Sequence, residues 1–155
     1  MIDHFAAPWV APDRYELRGD ARRFETWENN YAARLGLGVA VDYALDIGLE
    51  AIEQRCRMLA DELRGGLRTV PGVVLHDLGP HPAAIVSFSI PGREADSIKV
   101  NLAEAGINVS TSRASSTLLD ATARRLPTVV RASPHYYNSV EEIARLVEVV
   151  REIQA

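Results

Sequence analysis

The stretch that decides the fold is Val129-Val130-Arg131-Ala132-Ser133-Pro134-His135-Tyr136-Tyr137-Asn138, followed by Ser139 and, three residues later, by Glu142. The apolar residues around Arg131 predict a short strand over residues 128–133, which Pro134 ends because proline has no backbone N–H group to donate. Ser139 and Glu142 have the spacing of a capping box, so they predict a helix that begins at Ser139. The end of the chain is therefore predicted to be a strand, a turn and a helix.

The residues before this stretch predict a series of alternating elements. Apolar residues recur with helical spacing at about 30–48, 49–69 and 94–105. Strand patterns occur at about 73–76, 84–90 and 107–111. The resulting order is helix, helix, strand, strand, helix, strand, strand, helix. It predicts an α/β (α+β) fold with a small, mostly antiparallel sheet of three or four strands and helices packed on one face.

The two long helices differ in their patterns. The helix over 49–69 has an apolar face that includes Cys56 and Leu63, and Gly65-Gly66 is predicted to loosen its last turn. The helix over 30–48 has a stripe of large apolar residues beside a stripe of small ones, so it is predicted to be packed on more than one side. A cysteine on a buried helix face is more typical of a core residue than of a nucleophile.

Composition excludes several classes of protein. The 155 residues are 47% hydrophobic and 25% charged, as in an average globular domain, and the net charge of -4 argues against a nucleic-acid partner. Cys56 is the only cysteine, so no internal disulfide can form and the cytoplasm is the expected location. Neither a signal peptide nor an apolar run of about 20 residues is present, so no membrane partner is expected.

Several motifs have an ordinary structural interpretation that we favour. The Gly36–Val41 segment resembles a loose dinucleotide fingerprint, but no strand precedes it, which favours close helix packing. His76, Asp77 and His81 could hold a metal, but the polarity of a surface loop explains them as well, and we expect no metal. The serine-rich run at 110–116 predicts a flexible loop that could close over a ligand.

Arg131 is the strongest candidate for a functional residue. An arginine within an apolar strand loses part of its hydration and requires an anion. Its planar fork suits a carboxylate, either that of a ligand or that of a nearby acidic side chain, and the residues alone do not decide between the two. The following His135-Tyr136-Tyr137 could line a pocket or cover the end of the core.

The chain resembles a known family in three places. These are Arg22-Arg23-Phe24-Glu25, the Gly36-Leu37 pair within a helix, and the 129–138 stretch before the capped helix. Together they resemble the C-terminal portion of class V aminotransferases, the fold-type I enzymes that use pyridoxal phosphate (PLP) and include cysteine desulfurases. Within that family the chain looks most similar to the branch of isopenicillin-N epimerase and the ergothioneine-pathway sulfoxide lyase. The resemblance extends from about Arg22 to the end.

The resemblance implies a function for the chain and a role for Arg131. It implies an extended N-terminal arm over 1–20 and a C-terminal small domain over 21–155, from an enzyme that acts on an amino acid by transamination, racemisation or carbon–sulfur cleavage. Arg131 would bind the α-carboxylate of the substrate. The alternative is a stand-alone amino-acid-binding or assembly module derived from that domain. The arm and the helix over 30–48 would normally lie against a large domain, so a homodimer or an exchange of arms is expected to cover them.

Two departures from the family limit what the chain is expected to do alone. Many members have a Gly-Thr pair that reaches the PLP phosphate of the neighbouring subunit, where this chain has Trp27-Glu28. A glutamate would repel a phosphate, so Asn29 and Asn30 are the possible substitutes. The family's PLP lysine lies in a large domain that precedes this segment, and Lys99, the only lysine, does not match it. The chain is therefore expected to hold no PLP alone and to be inactive alone, although the parent enzyme uses PLP.

Overall fold

The computed structural model describes residues 4–25 and 29–155. Two compact units are present, Met1–Asp46 and Ile47–Ala155. Trp27 and Glu28, which replace the family's Gly-Thr pair, lie outside the described residues. The boundary between the two units falls inside one long helix, so we describe each unit by itself.

The second unit is built around one four-stranded sheet. Its strands are β3 (Val74–Leu75), β4 (Val86–Ser89), β5 (Ser110–Ser112) and β6 (Val129–Ala132). Their spatial order is β3-β4-β6-β5, and every neighbouring pair is antiparallel. Its helices are α2 (Leu49–Arg68), α3 (Ala95–Glu104), α4 (Leu118–Arg124) and α5 (Val140–Gln154). The predicted fold class, a small antiparallel sheet with helices, is confirmed.

The core lies between one face of this sheet and helices α2, α3 and α5. Strand residues alternate, so that Phe88 on β4 and Val130 on β6 are fully buried while their chain neighbours Ser87 and Arg131 are only half-buried. Leu63 on α2 is also fully buried against the same cluster. The apolar face predicted for α2 is therefore the face that covers the sheet.

The sequence predicted only that Gly66 loosens the last turn of α2, but the structure also gives this glycine a role in helix packing. A Cβ atom at Gly66 would lie 2.6 Å from Cγ2 of Val147 on α5, a distance that real contacts do not reach. The glycine thus makes room for the Val147 side chain of α5, which could not lie so close to α2 if residue 66 had a side chain. A single sequence offers no sign of the partner helix, so the reason for this glycine becomes visible only in the tertiary structure.

The capping box predicted for the last helix is present in full. The backbone N–H of Glu142 donates to Ser139 Oγ at 3.2 Å, and the backbone N–H of Ser139 donates to Glu142 Oε2 at 2.9 Å. The hydrogen bond from the Ser139 backbone also lowers the pKa of Glu142. The structure therefore starts α5 where the local sequence predicts.

The first unit has a short hairpin and one long helix. Strands β1 (Trp9–Ala11) and β2 (Arg14–Tyr15) pair within the segment for which extended chain was predicted. Helix α1 (Tyr31–Ile47) confirms the helix predicted over 30–48, but none of its residues is buried. The predicted packing on more than one side is therefore not found among the described residues, and Gly36, where close packing was favoured, has no atom within 4 Å of where its Cβ would be. The Gly36–Val41 segment is helical, as expected.

Candidate functional site

Arg131 lies on the central strand β6, between two serines on the neighbouring strands. The register places Arg131 opposite Ser87 on β4 and opposite Ser110 on β5. Side chains that are directly opposite in antiparallel strands point to the same face. We call this surface, opposite α2, α3 and α5, the Arg131 face; its side chains include His76, Ser87, Ser89, Ser110 and Arg131. Both residues opposite Arg131 are therefore small and polar.

The side chain of Arg131 makes no hydrogen bond or ion pair with the residues that the structure describes. None of the ion pairs among the described residues involves Arg131, whereas the other half-buried or buried arginines of the second unit each have a partner: Arg64 and Arg124 pair with carboxylates, and Arg55 donates to the Asn138 carbonyl. Of the two interpretations of a strand arginine, the salt bridge to a local acid is thus not found within the described chain. A partly dehydrated guanidinium without an anion is suited to an external carboxylate.

Asp77, which binds the strand residue opposite Arg131, is itself held by a buried arginine. Arg64 on α2 is 3% exposed and donates from Nε to Asp77 Oδ2 at 2.8 Å. The other oxygen of Asp77 accepts from the backbone N–H of Ser87 at 2.9 Å and from the Ser87 hydroxyl at 2.6 Å. The charge of Asp77 is therefore paired with that of Arg64, and Asp77 also binds Ser87, the strand residue opposite Arg131. Asp77, which the sequence analysis explained by the polarity of a surface loop, is therefore part of a structural hydrogen-bond network.

His76 and Ser89 form a second polar pair on the Arg131 face. His76 Nε2 lies 2.8 Å from Ser89 Oγ, while the guanidinium of Arg124 on α4 donates to the backbone carbonyl of His76. Burial, and then the charge of Arg124, lower the pKa of His76 below its usual range. His76 is therefore held in its neutral form, in which one ring nitrogen donates and the other accepts.

The serine-rich segment predicted to be a flexible loop is attached to α3 at its start. Asp96 on α3 accepts from Thr111 Oγ1 at 2.8 Å and from the guanidinium of Arg113 at 3.0 Å. The hydrogen bond from Arg113, followed by that from Thr111, lowers the pKa of Asp96. The segment contains β5 and most of a 3₁₀ turn over Ala114–Thr117, so more of it has regular secondary structure than the sequence predicts.

The aromatic residues that follow β6 contact one another. The ring of His135 lies 4.5 Å from that of Tyr136 and 4.9 Å from that of Tyr137, measured between centroids. Tyr137 and Asn138 line a cavity between the end of β6 and the first turns of α5, and Arg131 does not line it. The aromatic turn and the strand arginine therefore do not share one pocket.

The cofactor and metal candidates do not meet at Arg131. Lys99 is exposed on α3, in the helical layer, whereas Arg131 points to the opposite face of the sheet. Cys56 is half-buried on α2 in the same helical layer. In the described part of the chain, no group of three or more His, Cys, Asp or Glu side chains could hold a metal ion. No lysine of this chain is thus placed to hold an aldehyde cofactor beside Arg131, so the residues present do not fit PLP by themselves.

Comparison with known protein families decides the relationship of the chain. A family model described as "Aminotransferase class-V" matches residues 8–146. The chain belongs to this family. Arg131 and the helices around its sheet lie within the matched residues, so the site described above is part of a class-V aminotransferase domain.

The curated relatives are cysteine desulfurases that are much longer than this chain. One from Synechococcus elongatus is 37% identical over 134 residues, which make up 85% of this chain and 21% of that protein. A probable cysteine desulfurase from Methanothermobacter thermautotrophicus is 31% identical over 147 residues, or 93% of this chain and 37% of that protein. The chain therefore spans between about a fifth and two fifths of the length of these relatives.

Solved structures share the same fold. The apo structure of a cysteine desulfurase from Thermococcus onnurineus NA1 matches 99% of this chain and 38% of its own length, with a TM-score of 0.77 and 28% identity. A C-DES mutant, described with glycine covalently linked to its PLP cofactor, matches with a TM-score of 0.67 and 22% identity, which shows the fold alone. The class-V family and the fold predicted from the resemblance are both confirmed.

Sequence reasoning missed two polar networks of the site. Nothing in the pattern of α2 shows that Arg64 is buried, since an Arg at an i+3 distance from Asp61 is also typical of an exposed helix surface. The pairing of His76 with Ser89 depends on the register of β3 and β4. The strand alternation of Ser87 and Ser89 with Val86 and Phe88 was the available signal, because it places both serines on one face.

Proposed function

We propose that this chain provides the substrate-carboxylate part of a PLP-dependent, class-V aminotransferase-like enzyme that acts on an amino acid. The observation that carries the proposal is the half-buried guanidinium of Arg131, which has no partner among the described residues. An α-carboxylate would satisfy it through two parallel N–H···O hydrogen bonds. The residues opposite Arg131 on either side, Ser87 and Ser110, have small side chains, and Arg131 itself is only half-buried.

The proposal assigns the cofactor to another part of the enzyme. PLP would be held by the part of the relatives' length that this chain does not span, because Lys99 lies in the helical layer. Alone, the chain would turn over no substrate. We further propose the organisation that the resemblance implies, with an N-terminal arm over 1–20, a small domain over 21–155, and a cytoplasmic location. The resemblance of residues 129–138 supports the isopenicillin-N epimerase and ergothioneine-lyase branch of the family.

Titration with L-alanine, followed by the backbone amide resonances of the labelled chain, tests the role of Arg131. We expect saturable shifts at residues 87, 110 and 131, and at least about tenfold weaker binding for Arg131→Ala, since a charge-assisted pair contributes roughly 1.5–3 kcal/mol. Arg131→Lys keeps the charge but loses the fork, so intermediate binding is expected. The exposed Arg93→Ala variant is the matched control and should bind normally. A wild-type chain without saturable shifts would overturn the proposal.

Incubation with PLP tests the assignment of the cofactor to another part. After dialysis, the chain should be colourless. A yellow protein whose visible absorbance disappears on treatment with borohydride would mean that this chain holds PLP covalently. Lys99→Arg would then identify the amine, because a guanidinium cannot replace a lysine in that chemistry.

One observation favours a second candidate function, an assembly module that binds an amino acid without catalysis. Large apolar residues of α1, among them Leu35, Val39 and Tyr43, are exposed along one stripe. Such a stripe in water favours a partner, and we propose a homodimer or an exchange of N-terminal arms. Light scattering should detect the dimer, and Leu35→Glu with Tyr43→Glu should dissociate it. A monomeric wild-type chain would contradict this proposal but would leave the carboxylate site untouched.

A further inference from the structure

The Arg131 face has polar groups beyond those that a carboxylate needs. Ser89 lies two residues along β4 from Ser87, which is opposite Arg131, and it points to the same face. Its hydroxyl is 2.8 Å from His76 Nε2. On neighbouring antiparallel strands, such diagonal positions are about 7–8 Å apart, within reach of one small ligand. A ligand bound by Arg131 would therefore meet the His76–Ser89 pair.

The two serines of β4 differ in what they can offer a ligand. The Ser87 hydroxyl donates to Asp77 at 2.6 Å, and Asp77 is held in turn by the buried Arg64. Ser87 is thus committed to the protein and has only acceptor capacity left. Ser89 has a neutral imidazole as its partner, so the direction of its hydrogen bond depends on the tautomer of His76. Ser89 can therefore accept from a ligand or donate to one.

The surrounding charges restrict the ligand further. Arg124 donates to the carbonyl of His76. Burial of the ring, and then the charge of Arg124, lower the pKa of His76 and so favour the neutral imidazole. A cationic group of a ligand would be repelled by Arg124 and Arg131. A neutral group with both a donor and an acceptor can bond to either tautomeric arrangement of the pair, whereas a hydrocarbon group would exclude solvent and leave the remaining hydrogen-bonding capacity of Ser89 unsatisfied.

We propose that Ser89 and His76 select the side chain of the amino acid whose carboxylate Arg131 binds, and that they favour a neutral side chain with both a donor and an acceptor, such as an amide. This inference rests on the proposed role of Arg131. It makes Ser89 and His76 specificity-determining residues, which touch the ligand at its distal end, and it gives the substrate class as amino acids with a polar side chain that is not cationic.

L-asparagine and L-leucine, which are nearly isosteric, separate the polar contribution from shape. In the same resonance titration, we expect asparagine to bind roughly three- to tenfold more tightly than leucine, the range that one or two hydrogen bonds provide. Ser89→Ala should reduce this preference to about one while leucine binding is unchanged, and His76→Ala should act in the same direction. The exposed Ser97→Ala variant on α3 is the control and should keep the preference.

The outcomes distinguish this inference from the proposed function. Equal binding of the two amino acids, lost in Arg131→Ala, would overturn the selection by Ser89 and His76 but support the carboxylate site. A preference for asparagine that survives in both Ser89→Ala and His76→Ala would also overturn the inference. Binding that Arg131→Ala leaves unchanged would overturn the proposed function, and this inference with it.

Discussion

Helices α1 and α2 follow each other in the chain, but α2 buries its apolar residues and α1 leaves them exposed. Both contain large apolar residues at helical spacing. Leu63 on α2 is fully buried against the sheet, whereas Leu35 on α1 is 76% exposed. The difference teaches that an apolar stripe shows only that a helix needs a partner. Whether the partner lies in the same chain depends on the rest of the structure.

The largest expected effect comes from truncating one leucine in each helix. Leu63→Ala should lower the free energy of unfolding by about 2–5 kcal/mol, because it leaves a cavity in the core. Leu35→Ala should change it by less than about 0.5 kcal/mol in a dilute, monomeric sample, because its side chain is in water. Urea denaturation of both variants measures the contrast. Equal losses would mean that α1 is packed within the monomer.

A glycine in each helix provides a second, smaller contrast. Gly66→Ala should destabilise the fold by about 1–3 kcal/mol, because the new Cβ would collide with Val147. Gly36→Ala should instead stabilise it by about 0.5–1 kcal/mol, since no atom lies near and alanine is the better helix former. The midpoint temperature of thermal unfolding should therefore fall for Gly66→Ala and rise for Gly36→Ala.

Val147→Ala, added to Gly66→Ala, checks the cause of that shift. The double variant should recover part of the loss from Gly66→Ala, because the smaller residue makes room for the Cβ. A sum of two independent losses would contradict the close-approach explanation.

The smallest expected effect is a pH dependence caused by His76 in the second unit. The pKa of His76 is lowered in the folded state, so the unfolded chain binds more protons around the usual pKa of His. The stability from neutral His76 is complete above about pH 6.5 and decreases as the pH falls below that value. Asp96 and Glu142, whose pKa values are lowered from already acidic ones, act only at lower pH.

Urea denaturation at pH 7.5 and pH 5.5 measures this difference. His76→Gln should make the unfolding free energy less dependent on pH over this interval. The control variant His81→Gln, at an exposed position, should show the same pH dependence of the unfolding free energy as the wild type. If both variants keep the full dependence, another group is responsible for it.

Local sequence predicted the elements and the class of fold well. The capping box of Ser139 and Glu142 marked the start of α5 because both partners are only three residues apart. The apolar runs at 84–90 and 128–133 marked the strands that became β4 and β6. In the described chain, no helix is long and apolar enough to cross a membrane. The networks of Arg64 with Asp77, and of His76 with Ser89, could not be predicted, because their partners are brought together by strand register and helix packing.

The sequence by itself therefore determined the order of the main elements from α1 to α5, the small antiparallel sheet and the presence of an arginine on one of its strands; the β1–β2 hairpin, α4 and the inner position of β6 come from the structure. The former follow from interactions between residues close in the chain and from the alternation of a strand. Only the tertiary structure decided that Arg131 has no acidic partner in the described chain, that Gly66 is needed against Val147, and that α1 is exposed. Each of these depends on which segments, distant in the chain, come into contact. A local sequence pattern contains no information about such contacts.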